Sequence, residues 1–220
     1  MSSRPTGRYA GFPPGFFDRQ DATVDSVFYT PHRLVTHIDS GAIAAVGSLY
    51  NELGLCGPES GPVLDIMSSW VSHFPEKPAH LTVLGMNGFE LDYNTAGDAR
   101  VVHDLNTDPS LPFDDASFRA VVCCVSVDYL TRPLEVFDEV ARVLRPDGVF
   151  VCTFSNRCFP SKAIRGWLST DDRGHCAIVA EYFRRGARWS PPIVELRTVP
   201  GARTDPLYAV WVTRTGDPYG

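Results

Sequence analysis

Apolar positions recur along the chain in two rhythms. Between Ser40 and Gly54, Ile43, Val46, Tyr50 and Leu53 fall at helical spacing, with Ser40 placed to cap the start and Gly54 to end it. "GPESGP" breaks that pattern. Short apolar runs follow: "PVLDI", "LTVLGM", "ARVVHDL" and "RAVVCCVSV". The last is almost unbroken, as suits a strand covered on both faces. Pro133 opens a second helical pattern through Leu134, Phe137, Val140, Ala141 and Leu144, which "RPDG" stops in a turn. "VFVCTF" reads as a fifth strand, "SKAIRGWL" and "CAIVAEYFRRG" as helices. "PIVELRTV" and "LYAVWVTR" read as two closing strands paired across "PGARTDP". Strands alternating with helices predict an α/β fold, a doubly wound and mostly parallel sheet whose ligand sits beyond the carboxyl ends of the strands. Ahead of this, residues 1 to about 25 are rich in Pro, Gly and Arg and predict an irregular arm.

Composition narrows the function classes. The 220 residues suit one domain, 1–220, with 1–58 as an N-terminal arm and helix covering the site and 62–220 as the core. A formal charge of −6 with no basic stripe argues against nucleic acid. No apolar run approaches the length of a membrane span, and the first residues lack the apolar segment of a secretory signal, so a cytoplasmic protein is expected. The six cysteines form no C-x-x-C pair, and Cys123 and Cys124 are adjacent on a strand and face opposite sides. Most of the six read as core thiols, with no metal site expected.

The segment "LPFDDASFRAVVCCVSVDYLTRPLEVFDEVARVLRPDGVFVCTFSN" gives the fold a more specific identity. In order and spacing it resembles the class I S-adenosylmethionine (SAM)-dependent methyltransferases of the broad type 11 group, matching at Leu111, Pro112, Phe113, Ser117, Phe118, Leu144, Arg145, Pro146 and Gly148. The resemblance implies a Rossmann-like seven-stranded sheet whose last strand is antiparallel, and SAM as cofactor. It implies that Asp65, ending strand one, lies near the cofactor's methionine end, with Met67, Ser68 and Ser69 forming the loop that follows. Asn87 falls where the family holds the ribose with Asp or Glu. Asp104, with the Leu105 backbone beside it, falls at the adenine, and Val125 and Ser126 lie by the reactive methyl. Three positions depart from the family: the glycine loop is "MSSW", Asn87 replaces a carboxylate, and Arg119 replaces an Asp. "FYTPHRLVTHIDSGAIAAV" is similar to an uncharacterised subgroup that also carries a Ser-Ser-Trp-Val-Ser loop, which makes the missing glycines a subgroup trait.

Methyl transfer needs alignment of the nucleophile and exclusion of water, and a base where the acceptor is a hydroxyl. His37, in the segment that precedes the first helix, is a candidate base because imidazole titrates near neutrality; Tyr29, His32 and Arg33 share its segment. Asp128 and Tyr129, after strand four, are the other candidates, a helix cap being their plain alternative. Asn156 and Arg157, with Cys158, Lys162 and Arg165, would form a basic rim after strand five that suits a small-molecule acceptor with an anionic group. Trp70 reads as core packing. Without glycines, the "MSSW" loop is expected to keep φ below zero at nearly every residue. Ser68 and Ser69 hydroxyls would then bind the cofactor carboxylate beside the N-terminus of a following helix. The alternative is a non-catalytic binding protein that keeps this fold. A nicotinamide-dependent oxidoreductase fits less well, because no G-x-G-x-x-G follows strand one.

Overall fold

A computed structural model describes residues 7–186 and 188–216. Residues 1–6 of the expected arm lie outside the described residues.

Seven strands form one sheet: β1 (Gly57–Ile66), β2 (Pro78–Gly85), β3 (Ala99–Val102), β4 (Phe118–Cys124), β5 (Leu144–Phe154), β6 (Ile193–Leu196) and β7 (Tyr208–Thr213). Their order is β3-β2-β1-β4-β5-β7-β6, parallel except that β7 runs antiparallel to both β5 and β6. The strand order reverses between β1 and β4, the crevice where open sheets of this kind bind ligands.

The pleat divides the core. Val63, Leu81, Val83, Ala120, Val122 and Val151 face one side, where helix α2 (Ser40–Glu52) packs through Ala42, Val46, Leu49 and Tyr50. Leu64, Ile66, Val121, Cys123, Phe150 and Cys152 face the other. There they meet α4 (Pro133–Val143) and α6 (Asp172–Arg185) through Leu134, Phe137, Val140, Val179 and Phe183. Cys123 and Cys124 lie in opposite clusters, as alternation requires. The arm is anchored by aromatic packing: Phe12 and Phe17 lie 6.2 and 6.3 Å from the Tyr182 ring of α6.

Several local expectations are corrected. Asp39, not Ser40, caps α2: its carboxylate accepts from the Ala42 amide at 2.9 Å. "GPESGP" does not precede β1 but begins it, with irregular pairing between Gly57 and Pro62. "RPDG" enters β5 as a bulged start in which Asp147 takes φ 62°. Of "SKAIRGWL" only α5, Arg165–Leu168, is helical. The largest difference follows β1. The segment 67–77 contains no helix among the described residues, so the chain reaches β2 by an irregular crossover. The α2 helix, which precedes β1 in the chain, covers this face.

Candidate functional site

A cleft opens at the carboxyl ends of β1 to β4 and is roofed by the segment from Asp25 to His37. Asp65 ends β1 on the α2 side and is buried. Burial pushes its carboxyl up to about 6, while Ser72 and Ser68 hold it down by donating hydrogen bonds to Oδ2 at 2.6 and 2.8 Å. Met67 alone in the loop takes a left-handed φ, 53°, at a small cost in strain, while Ser68, Ser69 and Trp70 keep φ below zero as expected. Ser69 donates to Glu90 Oε2 at 2.5 Å. The hydroxyl protons of Ser68 and Ser69 are therefore spent on protein carboxylates. With no helix behind them, the expected serine-and-helix cradle for the cofactor carboxylate is absent from this loop. Trp70 is not core: it lines the cleft, and its indole N–H donates to the Val35 carbonyl at 3.0 Å.

Asn87 caps the short helix α3 (Gly88–Tyr93), accepting from the Phe89 and Glu90 amides, and donates through Nδ2 to the Tyr29 carbonyl at 2.8 Å. The carboxylate at this end of the sheet is Glu90, three residues later. It is buried against the cleft and accepts from the Arg33 amide at 2.7 Å. Sequence reasoning missed it because the helix N-cap, not the strand end, sets its direction. Its signal was an acid in the first turn after Asn87. Asp104 lines the cleft beside Leu105 and also holds its own turn, accepting from the Asn106 amide at 2.9 Å and from Thr107 Oγ1 at 2.7 Å.

The substrate-side residues separate. Val125, at φ 47°, and Ser126 line the cleft after β4. His37 lines it and stands edge-on to Phe159, with ring centroids 5.3 Å apart; partial burial lowers its pKa. His73, on the irregular crossover, also lines the cleft and is lowered by burial and by His37. It was missed because the crossover was read as loop and helix. Tyr129 lines the cleft from a 3-10 turn, its oxygen accepting from the Phe159 amide at 2.9 Å, and burial keeps it protonated. Its neighbour Asp128 is buried and does not line the cleft; burial pushes it up to about 8. Asn156 and Arg157 are exposed and also stand outside the cleft lining, Arg157 donating to Asp205 at 3.0 Å. Lys162 is not on a rim at all: it is fully buried, within 3.1 Å of the Asp25 carboxylate and 3.3 Å of Asp21. Arg165 pairs weakly with Asp18 at 3.8 Å. Among the described residues, no group of three or more acidic, His or Cys side chains is placed to hold a metal ion. No described helix is long and apolar enough to cross a membrane.

The cleft, the reversal of strand order beside it and the antiparallel β7 reproduce a known architecture. Residues 82–152 match the family described as "Methyltransferase domain". Structures with a similar fold include 1,6-didemethyltoxoflavin-N1-methyltransferase of Burkholderia thailandensis, which carries S-adenosylhomocysteine (TM-score 0.56, 15% identity, 80% of this chain and 79% of that one). A possible histamine N-methyltransferase of Thermotoga maritima is similar over 80% of this chain and 91% of its own (TM-score 0.53, 12% identity). The fold is that of the class I SAM-dependent methyltransferases. A demethylmenaquinone methyltransferase of Clavibacter sepedonicus is 44% identical over 68 residues, 30% of this chain. The chain spans only 27% of that curated relative's length. The resemblance drawn from "LPFDDASF…LRPDGVFV" thus falls in the part of the methyltransferase fold that the family match also covers.

Proposed function

We propose that the protein is a SAM-dependent methyltransferase acting on a small molecule. The observation that carries this reading is the set of three carboxylates, Asp65, Glu90 and Asp104, brought from the ends of β1, β2 and β3 into one roofed cleft of a methyltransferase fold. The donor set suits the cofactor. Asp65 would take its amino-acid end, with the Tyr50 hydroxyl close by. That hydroxyl is buried at the cleft wall and has no hydrogen-bond partner among the described residues. Glu90 and Asn87 would serve the ribose, and Asp104 with Leu105 the adenine, alongside Met67, Ser68, Ser69 and Val125 as loop and wall. When bound, SAM supplies an electrophilic methyl group.

The chain's own contribution is to enclose, to orient and, for a hydroxyl acceptor, to take a proton. The segment 25–37 excludes water over the cleft. His37 is the proton acceptor in this reading: it opens on the cleft, and partial desolvation by its neighbours lowers its pKa, which favours the neutral imidazole that accepts a proton. Tyr129 stays protonated and orients rather than accepts. Asp128, pushed up to about 8 by burial and outside the cleft lining, acts only through its neighbours. An amine or thiolate acceptor needs no base. The division into a covering arm and helix at 1–58 and a core at 62–220 belongs to the same proposal. So does a cytoplasmic location, which the six free thiols suit. Calorimetry with S-adenosylhomocysteine and with SAM tests the reading: both should bind the purified chain, and absence of binding at millimolar concentration would reject it in favour of a non-catalytic protein.

A further inference from the structure

We propose that the Arg33 side chain binds an anionic group of the methyl acceptor, and that this acceptor is a planar aromatic carboxylate. The inference rests on the methyltransferase reading and names the substrate class for the same cleft.

Arg33 is the one Lys or Arg among the described residues that line the cleft. The acidic groups around it are already engaged. Asp25 is held by Arg19 at 2.7 Å and Lys162 at 3.1 Å, Asp65 by two serine hydroxyls, and Glu90 by Ser69 and the Arg33 main-chain amide. The Arg33 guanidinium forms no ion pair among the described residues. It donates to two carbonyl oxygens, of Phe28 at 3.0 Å and Pro31 at 3.3 Å, which fix its position without neutralising its charge. A guanidinium with donors to spare, partly shielded from water, gains most from a carboxylate that matches its fork.

The surroundings give the rest of the ligand. The guanidinium carbon lies 4.5 Å from the Phe28 ring centroid, 5.6 Å from that of Tyr29 and 5.4 Å from that of Phe159. Phe159 follows β5 and is tied to Tyr129, which follows β4. In the sheet order these strands lie on the far side of β1 from Asp104 and Glu90. The Arg33 main chain therefore touches the half assigned to the cofactor, while its side chain reaches the half left for the acceptor. His37 stands against the same Phe159 ring. Flat walls from Tyr29, Tyr129 and Phe159 favour an aromatic body, and the cation at one end favours a carboxylate on it. The basic group expected at Arg157 is thus found on the roof.

The test is calorimetry on the full chain saturated with S-adenosylhomocysteine. The probes are 4-hydroxybenzoate, the neutral 4-hydroxybenzyl alcohol and 4-hydroxyphenyl phosphate. 4-Hydroxybenzoate should bind at least tenfold more tightly than the alcohol and more tightly than the phosphate. Arg33→Met should remove that tenfold preference, and Arg33→Lys, which keeps the charge without the fork, should retain part of it. Both variants should keep S-adenosylhomocysteine affinity within twofold, which also reports that the roof still folds. Four results would overturn the proposal: no binding of the benzoate to wild type, preference for the phosphate, an unchanged preference in Arg33→Met, or loss of S-adenosylhomocysteine binding with methylthioadenosine binding kept. The last would place Arg33 on the cofactor's carboxylate. Failure of wild type to bind S-adenosylhomocysteine at all would instead bring down the methyltransferase reading itself.

Discussion

Gly85 and Ser68 are packed main chain to main chain. A Cβ on Gly85 would stand 2.1 Å from the Ser68 carbonyl oxygen, and the Ser68 amide donates to the Leu84 carbonyl at 2.8 Å. The loop after β1 carries no glycine, yet it lies close because the neighbouring strand supplies one at the contact. Gly85→Ala should therefore displace the loop. The expected result is a fall in S-adenosylhomocysteine affinity of at least tenfold, with a lower unfolding midpoint. Gly216→Ala, where nothing lies within 4 Å, should be neutral in both measurements.

Asp65 sets a pH dependence for the cofactor. Burial raises its pKa to about 6 against the pull of Ser72 and Ser68, so acidification through that value neutralises the group expected to face the cofactor's cationic end. S-adenosylhomocysteine affinity should fall below pH 6. In Ser68→Ala with Ser72→Ala the carboxylate loses both donors, and the fall should begin at higher pH. At neutral pH the double variant should bind about 1–2 kcal/mol more weakly. A calorimetric pH series on the two proteins checks the direction.

His37→Ala should separate binding from turnover. S-adenosylhomocysteine affinity should stay within twofold, while turnover of a hydroxyl acceptor should drop about 10²-fold or more, the usual worth of a positioned base. The acid limb of the wild-type rate profile should fall below the ordinary histidine pKa, because burial lowers it. An unchanged profile in the variant would remove His37 from proton transfer.

Asp128 should cost stability as pH rises. Its folded pKa of about 8 exceeds the ordinary 3.8, so its contribution is full below 3.8 and is lost as pH climbs through 8. Asp128→Asn mimics the neutral acid. Its stability advantage over wild type should widen by about 1.4 kcal/mol per pH unit across that window, read by denaturant unfolding.

Asp104→Ala should weaken S-adenosylhomocysteine by about 1–3 kcal/mol if Asp104 accepts from the adenine amino group. The same substitution frees the Asn106 and Thr107 donors, so a thermal scan should accompany the titration.

The sheet was legible because its strands are apolar runs with turn residues between them, and strand pairing follows from that pattern. Asp65 and Asp104 were legible as acids at strand ends. What could not be read was direction. Glu90 enters the cleft only because Asn87 caps α3, and Lys162 leaves the surface only because Asp21 and Asp25 come to it from the far end of the chain. His73 lies on a crossover where a βα pattern predicts a helix; no local signal marks the substitution of α2 for that helix. Single serines and arginines likewise carry no sign of which partner will claim their protons, as Ser68 and Arg157 illustrate.

The buried Lys162 has a consequence for how the molecule assembles. Its ammonium donates to the Thr23 carbonyl at 2.7 Å, across 139 positions of sequence, and has no exposure of its own. Synthesis delivers the N-terminal segment first, and its 29–35 part can meet Asn87, Glu90 and Trp70 early, yet the stretch from Phe16 to Thr23 has no 161–166 backbone to fasten to until β5 and the turn beyond it exist. The roof is therefore closed in two stages, over β1 and β2 first and at the buried Lys162 last.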